Sequence, residues 1–266
     1  MALVTINFES HYLKNNHNVN IILPDKPFGQ EPKEFYKEGQ KYKVLWLLHG
    51  TFGDYSDWVR KSLIEVYAAE RNLMVVMPSA LNSVYENWPD FCMGFYMRDY
   101  FFEELMPLIY SWFPASQARE DNFVAGLSMG GRGTAKFICA HPEKFAGAAI
   151  LSSSPRDLRK VIGGEVDPRT ANDIKRCGGV EGFLASDENT WDHIKRLAGM
   201  KDPPKLYFAC GEDDALYSLV EEFRAYAKEI GLPAVFESEK GYGHEWRFWN
   251  KYIERALDVF GIEKTK

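Results

Sequence analysis

The chain has 266 residues, with 38 acidic against 32 basic side chains and a formal charge of −6, so it can bury a sizeable core but lacks the basic excess that nucleic acid demands. Its basic residues are scattered, and none of its apolar runs approaches the ~20 residues of a membrane-spanning helix, so neither nucleic acid nor membrane is an expected partner. The length fits one α/β domain over residues 1–266.

The opening stretch, MALVTINFESHYL, has no basic leader region and carries an early glutamate, so it is not expected to act as a signal peptide. Alternation of Val4, Ile6 and Phe8 with Leu3, Thr5 and Asn7 instead predicts a strand over 4–13, with a second, antiparallel, over 18–23 ended by Pro24. Residues 25–41 are polar and read as loop. Residues 42–48 are almost continuously apolar, the pattern of a strand buried on both faces of a parallel sheet. Helix is then expected over 62–71, strand over 74–77, an amphipathic helix kinked by Pro107 over 100–113, and strand over 122–125. Further on, helix is expected over 133–141, strand over 146–152, strand over 205–210, helix over 216–230, strand over 234–238 and a closing helix over 245–260. This alternation predicts βαβ units and a mostly parallel, doubly wound sheet. The interval 155–204, after the sixth strand, is too long for a simple connection and is expected to form a cap inserted over the site rather than a second domain.

Cys92, Cys139, Cys177 and Cys210 are irregularly spaced with no CxxC pair, as in a reduced, cytoplasmic protein. Neither HExxH nor a paired Cys/His cluster occurs, so no metal and no cofactor are expected.

The chemistry concentrates at NFVAGLSMGGRGTA, residues 122–135. Strand, Gly126-Leu127-Ser128-Met129-Gly130, then helix is the order of a nucleophile elbow, which thrusts a serine hydroxyl out of a tight corner and needs small neighbours on either side. A phosphate-binding reading fails, because Arg132-Gly133 stands where Lys-Ser/Thr is required. A hydrolytic serine needs a base and an acid to orient it. His244, in the glycine-flanked loop between the last strand and the last helix, is the expected base. His11 and His17 fall on the wrong side of the chain order, His141 ends a helix, His193 lies in the insertion, and His49 reads as an orienting residue. The strand over 205–210 runs into Gly211-Glu212-Asp213-Asp214; one carboxylate should reach His244, and the residues leave Asp213 and Asp214 open. Backbone donors for an oxyanion are expected from the Met129 and Thr51 amides, the latter in the loop His49-Gly50-Thr51. Among the aromatics Trp88, Phe91, Phe95 and Tyr96, and at Trp191 in the insertion, the candidates for substrate contact are Trp88, Phe95 and Trp191.

LLHGTFGDYSDW, VVMPSALNSVYENW, FVAGLSMGGRGTAKF, CGEDDALY and GYGHEWRFW, in this order, resemble the esterase D-like branch of the α/β-hydrolases over nearly the whole chain. The likeness is strongest to bacterial tributyrin esterases, with S-formylglutathione hydrolases and feruloyl/cinnamoyl esterases as relatives. The resemblance implies Ser128 as nucleophile, His244 as base and Asp214 as acid, since the family acid stands three residues after the glycine; Gly50-Thr51 and Ser128-Met129 match its oxyanion turns. It implies a serine carboxylesterase acting on a small ester, in which aliphatic, aryl and thioester substrates differ by pocket shape rather than by triad. A non-catalytic binding module on the same scaffold is the distant alternative, and self-association into a homo-oligomer is left open.

Overall fold

The computed structural model describes residues 2–27 and 29–265. Eight strands form the main sheet: β1 (Ala2–Ser10), β2 (Asn15–Leu23), β3 (Val44–Leu48), β4 (Met74–Pro78), β5 (Asn122–Leu127), β6 (Gly147–Leu151), β7 (Lys205–Gly211) and β8 (Ala234–Glu239). Their spatial order is β1-β2-β4-β3-β5-β6-β7-β8. β2 pairs antiparallel with both β1 and β4, and every pairing from β4 across to β8 is parallel. The C-terminal ends of β3, β5, β6, β7 and β8 therefore open on one edge, where a doubly wound sheet places its site.

Side-chain alternation divides the core into two layers. Val44, Trp46, Leu48, Val124, Ile150 and Phe208 join one apolar cluster; Leu45, Leu47, Phe123, Ala125 and Tyr207 join the other. The first layer is covered by α2 (Met106–Trp112), α3 (Met129–Ala140) and α5 (Tyr217–Glu229), through Ile109, Phe137 and Phe223. The second is covered by α1 (Ile64–Glu70) and α6 (Trp246–Phe260), through Ala68, Phe248, Ile253 and Leu257. Strands β3, β4, β5 and β6 are buried along their whole length, which is why their sequences read as continuous apolar runs.

Element boundaries shift where local chemistry overrides periodicity. The first strand stops at Ser10, since the chain turns over 11–14 with Lys14 at φ 56°. The helix expected over 62–71 forms as α1, and a separate short helix, Asp57–Lys61, precedes it across an extended Ser62 whose hydroxyl donates to the Trp58 carbonyl at 2.5 Å. Pro107 acts upstream of itself: lacking an N–H, it deprives the Glu103 carbonyl of its helical donor. A π-helical turn (Tyr100–Leu105) precedes α2, with Met106 N–H donating five residues back to Phe101. Helix α3 starts at Met129 rather than 133, directly from the elbow serine, despite three early glycines. Those glycines answer to packing: a Cβ on Gly130 would sit 2.5 Å from the Leu48 carbonyl oxygen, and one on Gly133 2.6 Å from the Tyr85 ring. The interval 155–204 contains short helices (Leu158–Ile162, Val180–Ala185, Thr190–His193, Lys195–Ala198) around a longer one, α4 (Pro168–Arg176). Pro168 opens α4 and Asp167 caps it, accepting from the Arg169 and Thr170 amides.

Candidate active site

Strand β5 delivers Ser128 to the sheet edge in a conformation few residues adopt, φ 52° and ψ −116°. The corner is held by its N–H donating to the Leu151 carbonyl of β6 at 2.8 Å. Its tightness leaves no room for side chains, since a Cβ on Gly126 would meet the Gly130 backbone.

His244 lies in the turn between β8 and α6, beside the elbow. Its Nε2 accepts from the Ser128 hydroxyl at 2.9 Å, and its Nδ1–H donates to Asp214 Oδ2 at 2.8 Å. The Trp249 ring packs edge-on against the imidazole, centroids 5.0 Å apart. Asp214 Oδ1 accepts from the Leu216 amide at 2.9 Å. Burial alone would raise the Asp214 carboxyl; the hydrogen bonds from His244, Leu216 and Ser152 outweigh it and hold the pKa below its ordinary value. Asp213 faces away from the imidazole, with its Oδ2 accepting from the Gly241 amide at 3.0 Å. The alternative that the residues leave open thus resolves geometrically: Asp214 meets the histidine, and Asp213 ties down the loop that carries it. Gly211 allows the approach, because any Cβ there would collide with the Tyr242 carbonyl.

The loop expected to supply an oxyanion donor follows β3. His49 is 1 % exposed; its Nε2 accepts from the Ala80 amide at 2.8 Å and its Nδ1–H donates to the Gly50 carbonyl at 2.7 Å. Burial lowers its pKa, in keeping with a neutral ring fixed in one tautomer. The Gly50 carbonyl also accepts from the Gly53 amide at 3.2 Å. In a trans peptide the following N–H points opposite to the carbonyl, so clamping Gly50 C=O directs the Thr51 N–H the other way. Among the described residues, neither the Thr51 nor the Met129 N–H donates to another protein group, and both residues line the cavity that holds Ser128.

That cavity measures about 540 Å³. One wall comes from Thr51, Phe52, Val84 and Trp88; the opposite wall comes from the insertion, through Leu158, Thr170, Asp173 and Glu188. Of the three aromatics expected to contact substrate, only Trp88 lines it. Phe95 is 3 % exposed, paired with Trp88 in a two-residue ribbon (Asn87–Trp88 with Phe95–Tyr96) and packed into the core. Trp191 stacks on Tyr226 with ring centroids 4.0 Å apart, which turns its face to α5 instead of the cavity. Both expectations are corrected: these rings fill the core, as large aromatics beside a sheet do when apolar area is available to cover them. His193 lines a separate cavity with His141.

Two features of the site escape the sequence reading. Ser152, fully buried at the end of β6, accepts from Trp249 Nε1 at 2.9 Å and supports Asp214. Its strand-end position, on the edge shared with Ser128, is the signal that could have found it. The second is an ionic cluster that reaches the cavity wall, in which Arg132 and Lys136 on α3 and Arg176 on α4 meet Glu86, Asp173 and Glu188. Nothing in residue spacing foretells it.

Strand order, the elbow and the position of the histidine define an α/β-hydrolase. A family model described as putative esterase matches residues 10–258, and the chain belongs to that family. It is 35 % identical to an acetyl esterase of Caldicellulosiruptor saccharolyticus over 97 % of each chain. Among solved structures, it matches the fluorophosphonate-binding serine hydrolase F of Staphylococcus aureus with a TM-score of 0.81 and 29 % identity, over 99 % of both chains. An S-formylglutathione hydrolase from the same organism matches with a TM-score of 0.80 and 29 % identity, over 98 % of this chain and 99 % of that one. The protein is a carboxylic ester hydrolase.

Proposed function

We propose that the protein is a serine carboxylesterase that cleaves short-chain acyl esters through an acyl-enzyme. The observation that carries this reading is the continuous line from Ser128 Oγ through His244 to Asp214, with contacts of 2.9 and 2.8 Å. Ser128 attacks the ester carbonyl while His244 Nε2 takes its proton and passes it to the leaving alkoxide. The imidazolium so formed is stabilised by the Asp214 carboxylate, and the Thr51 and Met129 amides receive the oxyanion. Water, activated by the same imidazole, then releases the acid and restores the serine. The scheme requires no metal or cofactor.

A small acyl group is in keeping with the charged part of the cavity lining. A long alkyl chain laid along it would meet Arg132, whose guanidinium keeps some contact with water, and would strip that water without replacing it. The Caldicellulosiruptor relative, an acetyl esterase by name, is in keeping with this. Residues 155–204 act as a cap that sets substrate choice, and the four unpaired cysteines fit a reducing cytoplasm.

The test is a rate panel of p-nitrophenyl esters from acetate to decanoate, with methyl ferulate and S-formylglutathione, together with mass spectrometry after a fluorophosphonate. We expect the fastest turnover on the shortest chains and a single adduct on Ser128. Ser128→Ala should lower kcat by ~10⁴-fold or more with the fold intact. An adduct on another residue, or near-native activity in the variant, would overturn the assignment.

A further inference from the structure

The charged side chains around the cavity are unevenly partnered. Arg132 pairs with Asp173 at 2.7 Å and Glu188 at 2.6 Å; Arg176 pairs with Glu188 at 2.6 Å; Lys136 pairs with Glu188 at 3.0 Å and Glu86 at 3.1 Å. Three cations and three carboxylates thus pair within one cluster. Arg156 stands outside it. Its side chain lines the same cavity as Ser128, yet among the described residues its guanidinium has no ion-pair or hydrogen-bond partner. Arg169, at the exposed rim, is likewise without one.

Asp167 is one of the carboxylates that attract Arg156, and its oxygens are already engaged. Oδ1 accepts from the Arg169 and Thr170 amides at 2.9 and 3.2 Å, and Oδ2 accepts from the Thr170 hydroxyl at 2.7 Å. Arg156 feels burial first, then the repulsion of Arg132, against the attraction of Glu188, Asp167 and Asp173, and its pKa is lowered from the ordinary arginine value. A half-buried guanidinium in that condition gains from any anion that enters, and its planar fork matches a carboxylate with two parallel N–H···O bonds.

The position is fixed relative to the reacting serine. Arg156 lies on the segment leaving β6, three residues beyond Ser153, and a Cβ on Gly131 in the first turn of α3 would come within 2.8 Å of the Ser153 Cβ. The chain that carries Arg156 is thus packed against the helix that begins at the nucleophile. In a protein whose formal charge is −6, this is a local positive site within the substrate cavity.

We propose that Arg156 is a carboxylate-binding residue and that the preferred substrates are esters bearing a carboxylate, with the ester carbonyl at Ser128 and the carboxylate against Arg156. The proposal rests on the esterase reading above and narrows it to acidic esters. The carboxylate can belong to the acyl half, as in a dicarboxylic acid monoester, or to the leaving group, and two substrates separate these cases.

The experiment compares kcat/KM for p-nitrophenyl butyrate, mono-p-nitrophenyl glutarate and 3-carboxy-4-nitrophenyl butyrate, corrected for spontaneous hydrolysis. It uses wild-type enzyme, Arg156→Gln and Arg156→Lys. We expect the wild type to prefer one anionic ester over the neutral one and to lose that preference as sodium chloride is raised. In Arg156→Gln the anionic-to-neutral ratio should fall by ~10–100-fold, mainly through KM, with a smaller fall in Arg156→Lys. A wild-type enzyme that turns over the neutral ester but shows no salt-sensitive preference for either anionic ester overturns the proposal, whether or not the variants fold. A ratio unmoved by Arg156→Gln overturns it as well. Failure to hydrolyse p-nitrophenyl butyrate at all would instead bring down the esterase reading on which it stands.

Discussion

Asp213 and Asp214 are chemically identical neighbours whose tasks are divided by direction alone. Asp214 holds its carboxylate at 2.8 Å from His244 Nδ1, whereas Asp213 accepts a backbone amide from Gly241. Replacing Asp214 with asparagine removes the charge that stabilises the imidazolium and offers an amide that can lock the wrong tautomer. Steady-state kinetics of Asp214→Asn should show a loss of several hundredfold or more, against ~10⁴ for the analogous change in a comparable triad. Asp213→Asn keeps an oxygen that can accept from Gly241 and should lose less than about tenfold. The reverse ranking would move the acid to Asp213. His49 shows a third division of labour: buried and bonded through both ring nitrogens to backbone, it serves as a positioning residue for the peptide that carries the Thr51 amide.

The elements meet through glycines and strand ends, and the loops after β7 and β8 depend on Gly211. A methyl group there would strike the Tyr242 carbonyl, which itself accepts from the Asp213 amide at 3.1 Å. Gly211→Ala should therefore displace the histidine loop. Overpacking of this kind destabilises by about 1–3 kcal/mol, while an ~1 Å misplacement of a reacting group can lower the rate ~10²-fold. Urea titration and kcat/KM on the same preparation would check this, and full activity in the alanine variant would contradict it. The contact of Ser128, His244 and Asp214 is legible in the sequence because each residue sits in the turn after a parallel strand, and glycine stands in or beside each of those turns. The cavity wall is not legible, for the opposite reason. Phe95 and Trp191 carry the composition of pocket residues, and only the course of the chain through the ribbon and the insertion turns them inward. The helix start at Met129 is missed because propensity penalises Gly130, Gly131 and Gly133, whereas close packing against the ends of β3 and β6 and against Tyr85 requires them.

At the scale of the whole molecule, stability should depend on acid through a histidine remote from the chemistry. His17 on β2 donates from Nε2 to the Ser79 carbonyl at 2.7 Å and packs edge-on to Tyr100. Burial outweighs the Ser79 hydrogen bond and the attraction of Glu104 and brings its pKa from 6.5 down to about 4. Between those values the unfolded chain takes up a proton that the folded protein refuses. Stability is therefore full above pH ~6.5 and falls as the pH drops towards 4, by on the order of 3 kcal/mol across the window. Chemical denaturation at pH 8 and pH 5 should show about 2 kcal/mol of this loss, and His17→Gln should reduce it. An equal slope in the variant would assign the dependence to other groups.

The contact between His244 and Ser128 joins residues 116 positions apart, and the strands that present them are separated in the sheet by β6 and β7. Parallel strands cannot pair until their crossovers have formed, so such contacts belong to the slow end of folding. Catalytic competence should consequently return last when denatured protein is diluted into buffer. A refolding intermediate with its helices and central strands in place would be spectroscopically close to native and chemically silent. The rate at which a fluorophosphonate labels Ser128 then becomes a clock for the final docking of β8 and α6.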